Sequence, residues 1–190
     1  MKKIGILGGT FNPIHLGHLI LAEEVREELK LDKVIFVPTN LPPHKHNNIL
    51  ESKYRFNMIK LAIGDNSHFD VSDIEIKRGG VSFTIETLKA MRSHYKRAQL
   101  FFISGSDVLK YLPKWKDLDR ILKIAKFVVA NRPGYSLNKI PRKITTLEIR
   151  PLAISAYEIR KLIRKKRSIR YFVPKEVFKY IEKNRLYSKN

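Results

Sequence analysis

The chain contains no cysteine, which excludes disulfides and thiolate metal sites and suits a reducing compartment without proving one. It has one tryptophan in 190 residues and no apolar stretch approaching the length of a membrane span. Met1-Lys2-Lys3 leads into an apolar run too short for a signal peptide's core plus a cleavage site, so a cytoplasmic location and no membrane partner are expected. Acidic residues are also scarce: 18 Asp and Glu face 38 Lys and Arg, a formal net charge of +20. That excess attracts polyanions, whether nucleic acid, ATP or an acidic membrane surface, without choosing among them. No linker, repeat or low-complexity block divides the chain, so one domain over residues 1–190 is expected. A hydrophobic content of 43% is enough for a core at this length.

Four apolar runs, Ile4 to Leu7, Val34 to Val37, Leu100 to Ile103 and Phe127 to Ala130, alternate with segments of helical periodicity. This rhythm predicts an α/β chain with a parallel sheet. In the first helix Ala22, Val25 and Leu29 share a face, with Glu23, Glu24, Glu27 and Glu28 mostly opposite, so the apolar stripe should pack on the sheet. Residues 53–63 and 84–95 carry similar patterns, and short runs near Val71 and Leu147 predict further strands. Ser155 precedes a helical pattern through Ile159, Leu162 and Ile163, and Pro174 fits the first turn of a last helix carrying Val177 and Ile181. Longer loops are expected at 40–48 and 131–142. The order of the strands is not set by these patterns.

The junction between the first strand and first helix reads Gly8-Gly9-Thr10-Phe11-Asn12-Pro13-Ile14-His15-Leu16-Gly17-His18. Glycines there let backbone approach a phosphate, the first N–H groups of the helix point at it, and two imidazoles complete a cradle. It is neither a P-loop, which needs G-x-x-x-x-G-K-[ST], nor a G-x-G-x-x-G dinucleotide loop. Two histidines three apart also suit a metal, but zinc sites need a third and fourth ligand at recognisable spacing, which the sequence does not offer. A second phosphate element is Ile154-Ser155-Ala156-Tyr157-Glu158-Ile159-Arg160. There a serine caps a helix start and Arg160 projects from the following turn, although a serine N-cap alone is an ordinary structural device.

The first motif resembles the G-T-F-(D/N)-P-x-H-x-G-H pattern of the nucleotidylyltransferase superfamily, and the second its I-S-(S/A)-T-x-I-R pattern, with Tyr157 in place of the usual threonine. The resemblance implies a Rossmann-like parallel sheet with helices on both faces. It also implies ATP binding by Gly8, Gly9, Thr10, Phe11, His15, His18, Ser155 and Arg160, with His15 and His18 as the catalytic pair. Further blocks are similar to bacterial nicotinate-nucleotide adenylyltransferases: Phe36-Val37-Pro38-Thr39-Asn40 with Pro42-Pro43-His44-Lys45, Val81 to Leu88, Gly105-Ser106-Asp107 with Leu112-Pro113-Lys114-Trp115, and Asn131-Arg132-Pro133-Gly134. Carried over by position, the mononucleotide site comprises His44, Lys45, Gly105, Asp107 toward ribose, Trp115 stacking on the pyridine ring, and the backbones of Thr84 and Lys116 toward its carboxylate. Arg132 is placed near a phosphate. Without that context Trp115 reads as a packing residue, Lys45 as a solvated one, and Asp107 as a cap for a helix running toward Leu112.

The implied chemistry is adenylyl transfer from ATP to nicotinate mononucleotide, giving nicotinate adenine dinucleotide and pyrophosphate. Magnesium is expected to enter with ATP through phosphates and water, and no protein ligand is assigned to it. The partners on this reading are ATP and nicotinate mononucleotide, with a homo-oligomer allowed. The same superfamily also holds transferases acting on phosphopantetheine, cytidylyl acceptors or the amide mononucleotide. A reading from another class is an RNA-binding protein using its basic end: from Glu158 to Asn190 there are twelve Lys or Arg against three Glu. A solvated helical face explains that run more simply, so nucleic acid is expected as a weak, sequence-blind contact.

Overall fold

Alternation inside each apolar run decides which side chains face which layer. In the computed structural model, which describes residues 1–43, 49–131, 143–150 and 152–188, the runs form strands β1 (Lys3–Gly9), β2 (Lys33–Pro38), β3 (Phe69–Val71), β4 (Gln99–Gly105), β5 (Lys126–Asn131) and β6 (Ile144–Glu148). All pair in parallel, in the order β3-β2-β1-β4-β5-β6. This is the doubly wound order, with the direction of winding reversing between β1 and β4.

Helices cover both faces. On one side Leu7, Val34, Phe36, Phe101, Ile103, Val128 and Ala130 pack against α1 (Leu16–Leu29), α2 (Ser52–Ile63), α6 (Ala156–Arg164) and α7 (Lys175–Lys183). On the other, Ile4, Ile6, Ile35, Val37, Leu100, Phe102, Phe127 and Val129 meet the short α3 (Ile74–Arg78), α4 (Thr84–His94) and α5 (Leu118–Ile124). Every central strand thus spends alternate residues on each core, as a sheet buried on both faces requires. At roughly 1.5–3 kcal/mol per buried Val, Leu, Ile or Phe, these two layers are the main favourable term in folding.

Two short helices, α3 and α5, escape the periodicity reading. The helix expected from Asp107 toward Leu112 is instead a pair of 3₁₀ turns, Ser106–Lys110 and Leu112–Lys114, capped by Gly105 rather than Asp107. Pro113 removes an N–H donor there and favours the break. Pro174 sits one place before the last helix, as its N-cap. Most of the loop expected at 131–142 and the 44–48 part of the earlier loop lie outside the described residues.

A candidate nucleotide site at the carboxyl edge of the sheet

β1 and β4 run side by side with Leu7 opposite Ile103, so their carboxyl ends, Gly9 and Gly105, flank the crevice where the sheet changes direction. Ligands of doubly wound sheets bind at this place. The loop leaving β1 turns sharply. Phe11 adopts φ 46°, is only 2% exposed, and lies so close that a Cβ on Gly9 would sit 2.9 Å from its Cζ. The Asn12–Pro13 peptide is cis.

His15 then caps α1, a position that Ser, Thr, Asp or Asn would ordinarily fill. Its backbone N–H donates to Nδ1 of His18 at 3.2 Å, and the His18 N–H returns to the His15 carbonyl at 2.9 Å. The two rings lie 3.7 Å apart at 36°, and Phe11 meets His18 edge-on at 5.0 Å. Because Nδ1 of His18 accepts from an amide, a neutral ring carries its proton on Nε2, where it can donate to an anion. Gly17 makes room for the stack: a Cβ there would be 3.1 Å from Nδ1 of His15.

The second motif arrives from the far end of the chain. Nη1 of Arg160 donates to the Asn12 carbonyl at 2.6 Å, and Ile154 packs beside Gly17. Two segments 148 residues apart therefore meet at one loop. Burial pulls the Arg160 guanidinium below its ordinary value, and its Nε is buried with no hydrogen-bond partner among the described residues. Ser155 caps α6 by accepting from the Glu158 N–H at 3.1 Å, so its structural role is present. The ring of Tyr157 is 59% exposed beside it.

Across the crevice, Thr84 opens α4, where a first-turn N–H has no intrahelical acceptor. The Lys116 ammonium lies over the Phe83 ring at 4.7 Å, which brings the Thr84 and Lys116 segments together. Trp115 is half-buried, set edge-on to Phe102 at 5.8 Å and tilted against Phe127 at 5.6 Å. Its packing role is therefore real, and the residue is not fully enclosed. Asp107 is exposed on the 3₁₀ turn beyond β4. His44, Lys45 and Arg132 lie outside the described residues.

Sequence reasoning missed a buried polar layer behind the crevice. Arg55 of α2 is 1% exposed, and Glu75 of α3 is 5% exposed and accepts from the Thr87 hydroxyl. Burial pushes the Glu75 carboxyl above its usual range, opposed by Ser82, Thr87 and the charges of Arg78 and Arg55. Burial likewise raises the Tyr187 phenol, which feels both Arg160 and Arg55. The available signal was a charged residue in an apolar register: Arg55 stands where the stripe of Met58, Ile59, Ala62 and Ile63 begins.

The cytidylyltransferase-like family profile matches residues 6–175. A protein of Oceanobacillus iheyensis is 40% identical over 187 residues, covering 98% of this chain and 97% of its own, and one from Bacillus cytotoxicus is 42% identical over 188 residues, covering 98% and 99%. Both bear the name "Probable nicotinate-nucleotide adenylyltransferase". Among solved structures, Plasmodium falciparum nicotinic acid mononucleotide adenylyltransferase complexed with NaAD superposes with a TM-score of 0.85 over 100% of this chain and 99% of that one, at 22% identity, a likeness of fold. The same enzyme complexed with APC gives 0.83.

Proposed function

The chain belongs to the nicotinate-nucleotide adenylyltransferases of the cytidylyltransferase-like family, and from that membership we propose that it joins ATP and nicotinate mononucleotide into nicotinate adenine dinucleotide, releasing pyrophosphate. The observation that carries this reading is the meeting of the two phosphate motifs, sealed by the bond from Arg160 to the Asn12 carbonyl at the β1 terminus.

In the reaction a 5′-phosphate oxygen of the mononucleotide attacks the α-phosphorus of ATP in line. The bond from that phosphorus to the bridging oxygen of the β-phosphate breaks, and pyrophosphate leaves with its electron pair. The attacking group is already an anion, so the protein supplies no nucleophile. Holding the two nucleotides in line is worth up to roughly 7–11 kcal/mol in well-oriented systems. His18 donates Nε2–H to oxygens that gain charge as the transition state forms, in a direction fixed by the amide bond on Nδ1. His15, through its backbone N–H and its stacked ring, holds His18 in place. Ser155, Arg160 and the N-termini of α1 and α6 receive the outer phosphates. On the acceptor side, the first N–H of α4 and the backbone of Lys116 meet the nicotinate carboxylate, and Trp115 stacks on the pyridine ring.

Magnesium fits this donor set as a passenger of the triphosphate. Among the described residues there is no group of three or more His, Asp or Glu that could hold a metal, whereas the groups at the crevice are anion-binding N–H donors. Bound to phosphate oxygens and water, the ion would neutralise the departing pyrophosphate.

Incubation with magnesium, ATP and, in separate reactions, nicotinate mononucleotide, its amide counterpart and phosphopantetheine, with a parallel reaction supplying CTP and a cytidylyl acceptor, followed by identification of products by mass, tests the assignment. Nicotinate adenine dinucleotide and pyrophosphate are expected as the fastest-formed products. Faster turnover of another acceptor would replace the substrate, and no product in any reaction would overturn the enzyme.

A further inference from the structure

Arg55 is only 1% exposed, yet among the described residues its hydrogen bonds all go to backbone. Nε donates to the Leu50 carbonyl at 2.7 Å, Nη1 to the Thr10 carbonyl at 2.8 Å and Nη2 to the Asn40 carbonyl at 3.2 Å. Glu75 acts on it through space, with no ion pair between them among the described residues. Each carbonyl belongs to a segment that reaches the crevice. Thr10 is in the phosphate loop itself. The Leu50 N–H returns to that loop by donating to Oδ1 of Asn12 at 3.2 Å. The Asn40 N–H donates to the Ser82 hydroxyl at 2.9 Å, two residues before Thr84 and the start of α4.

Burial lowers the pKa of this guanidinium, and its loss would leave three carbonyls without a donor, so Arg55 also contributes to stability. What a planar, three-pronged donor supplies that methionine or lysine cannot is fixed geometry between three acceptors. We propose that Arg55 is a positioning residue for adenylyl transfer: by gripping Thr10, Asn40 and Leu50 at once it fixes the phosphate loop against the acceptor-side segment, so that the attacking oxygen meets the α-phosphorus in line. The inference rests on the adenylyl-transfer reading of the site.

The molecule contains its own comparator. Arg92 of α4 also binds two carbonyls, Ala98 at 2.6 Å and Ile124 at 2.8 Å, but these precede the amino ends of β4 and β5, at the opposite edge of the sheet. Arg92→Met should lower the melting temperature and leave kcat unchanged. Arg55→Met, assayed where it is fully folded, should lose about 10²-fold in kcat with each KM within about threefold, since a misplacement near 1 Å costs that much. Arg55→Lys keeps the charge but not the fork, and should fall between. Arg55→Ala should regain kcat with millimolar guanidinium ion and not with ammonium. In Arg55→Met, hydrogen exchange at residues 9–12 and 39–41 should accelerate together, while the amides of β4 and β5 keep wild-type protection.

A folded Arg55→Met protein with kcat within about threefold of wild type overturns the proposal, as does a loss equal to its unfolded fraction. If that variant does not fold, a folded Arg55→Lys protein with native kcat overturns it equally. A wild-type protein that makes no dinucleotide defeats the functional reading instead. In that event the exchange data still decide whether Arg55 couples the two segments.

Discussion

The two ring nitrogens of His18 face different partners, so substitutions that keep one and remove the other should separate structure from catalysis. Nδ1 accepts the His15 N–H at 3.2 Å and closes the entrance of α1, while the proposed mechanism gives Nε2–H to the reacting phosphate. In His18→Asn the side-chain oxygen can stand in for Nδ1, but nothing reaches the place of Nε2. The helix entrance should hold, with the melting temperature close to wild type, while kcat falls by about 10²–10³, the usual effect of losing one preorganised donor. In His18→Gln the amide nitrogen reaches the place of Nε2 and the Nδ1 acceptor is lost. Loss of a capping bond costs about 0.5–2 kcal/mol, or roughly 1–8 °C in a chain of this size. Turnover should suffer less than in the asparagine variant. Thermal melts and steady-state pyrophosphate release read the two effects independently. Near-native kcat in His18→Asn, or a larger loss in His18→Gln than in His18→Asn, would refute the assigned direction of the Nε2 proton.

Arg160→Ala removes the proposed charge-assisted contact with the outer phosphates, worth about 1.5–3 kcal/mol, so ATP affinity by titration should weaken about 10- to 150-fold; weakening of the mononucleotide alone would exchange the two subsites. Burial raises the Glu75 carboxyl, so the folded chain keeps a proton that the unfolded chain releases near the ordinary value of 4.5. Stability should therefore fall as pH rises from there through the raised folded value, and Glu75→Gln should gain on wild type over that window in urea unfolding; a flat or reversed difference would mean that the buried carboxylate is compensated by its neighbours. If two backbone N–H donors meet the nicotinate carboxylate, the amide mononucleotide leaves one unpaired, predicting a preference for the acid of about five- to 150-fold in kcat/KM; equal values would remove that assignment. Fluorescence of Trp115 should change with nicotinate mononucleotide and much less with ATP, and an identical response to both would deny the stacking.

What could be read from the sequence was what local pattern controls. Four apolar runs became the four central strands, and weaker signals near Val71 and Leu147 became β3 and β6. Strand order was not legible, because it is set by crossovers and not by any run. The short helix α3 was hidden because its buried member is Glu75, an acid in an inward-facing position. Arg55 was hidden likewise, since pattern reading treats a charge as solvent-facing, and its three acceptors lie in segments that only the tertiary fold assembles. The phosphate loop stood out because its residue types are unusual together, yet its operating details were not visible. Neither a histidine serving as N-cap nor a buried phenylalanine at positive φ is a choice that propensity favours.

The central claim is a single in-line displacement at the α-phosphorus of ATP, aided by His18 without covalent attachment. Its most direct measurement is turnover of nicotinate mononucleotide with ATP made chiral by isotopic oxygen at the α-phosphorus, followed by configurational analysis of the dinucleotide. The account predicts nicotinate adenine dinucleotide with inverted configuration. Retention, the mark of an adenylylated protein intermediate, or the absence of that dinucleotide would contradict it.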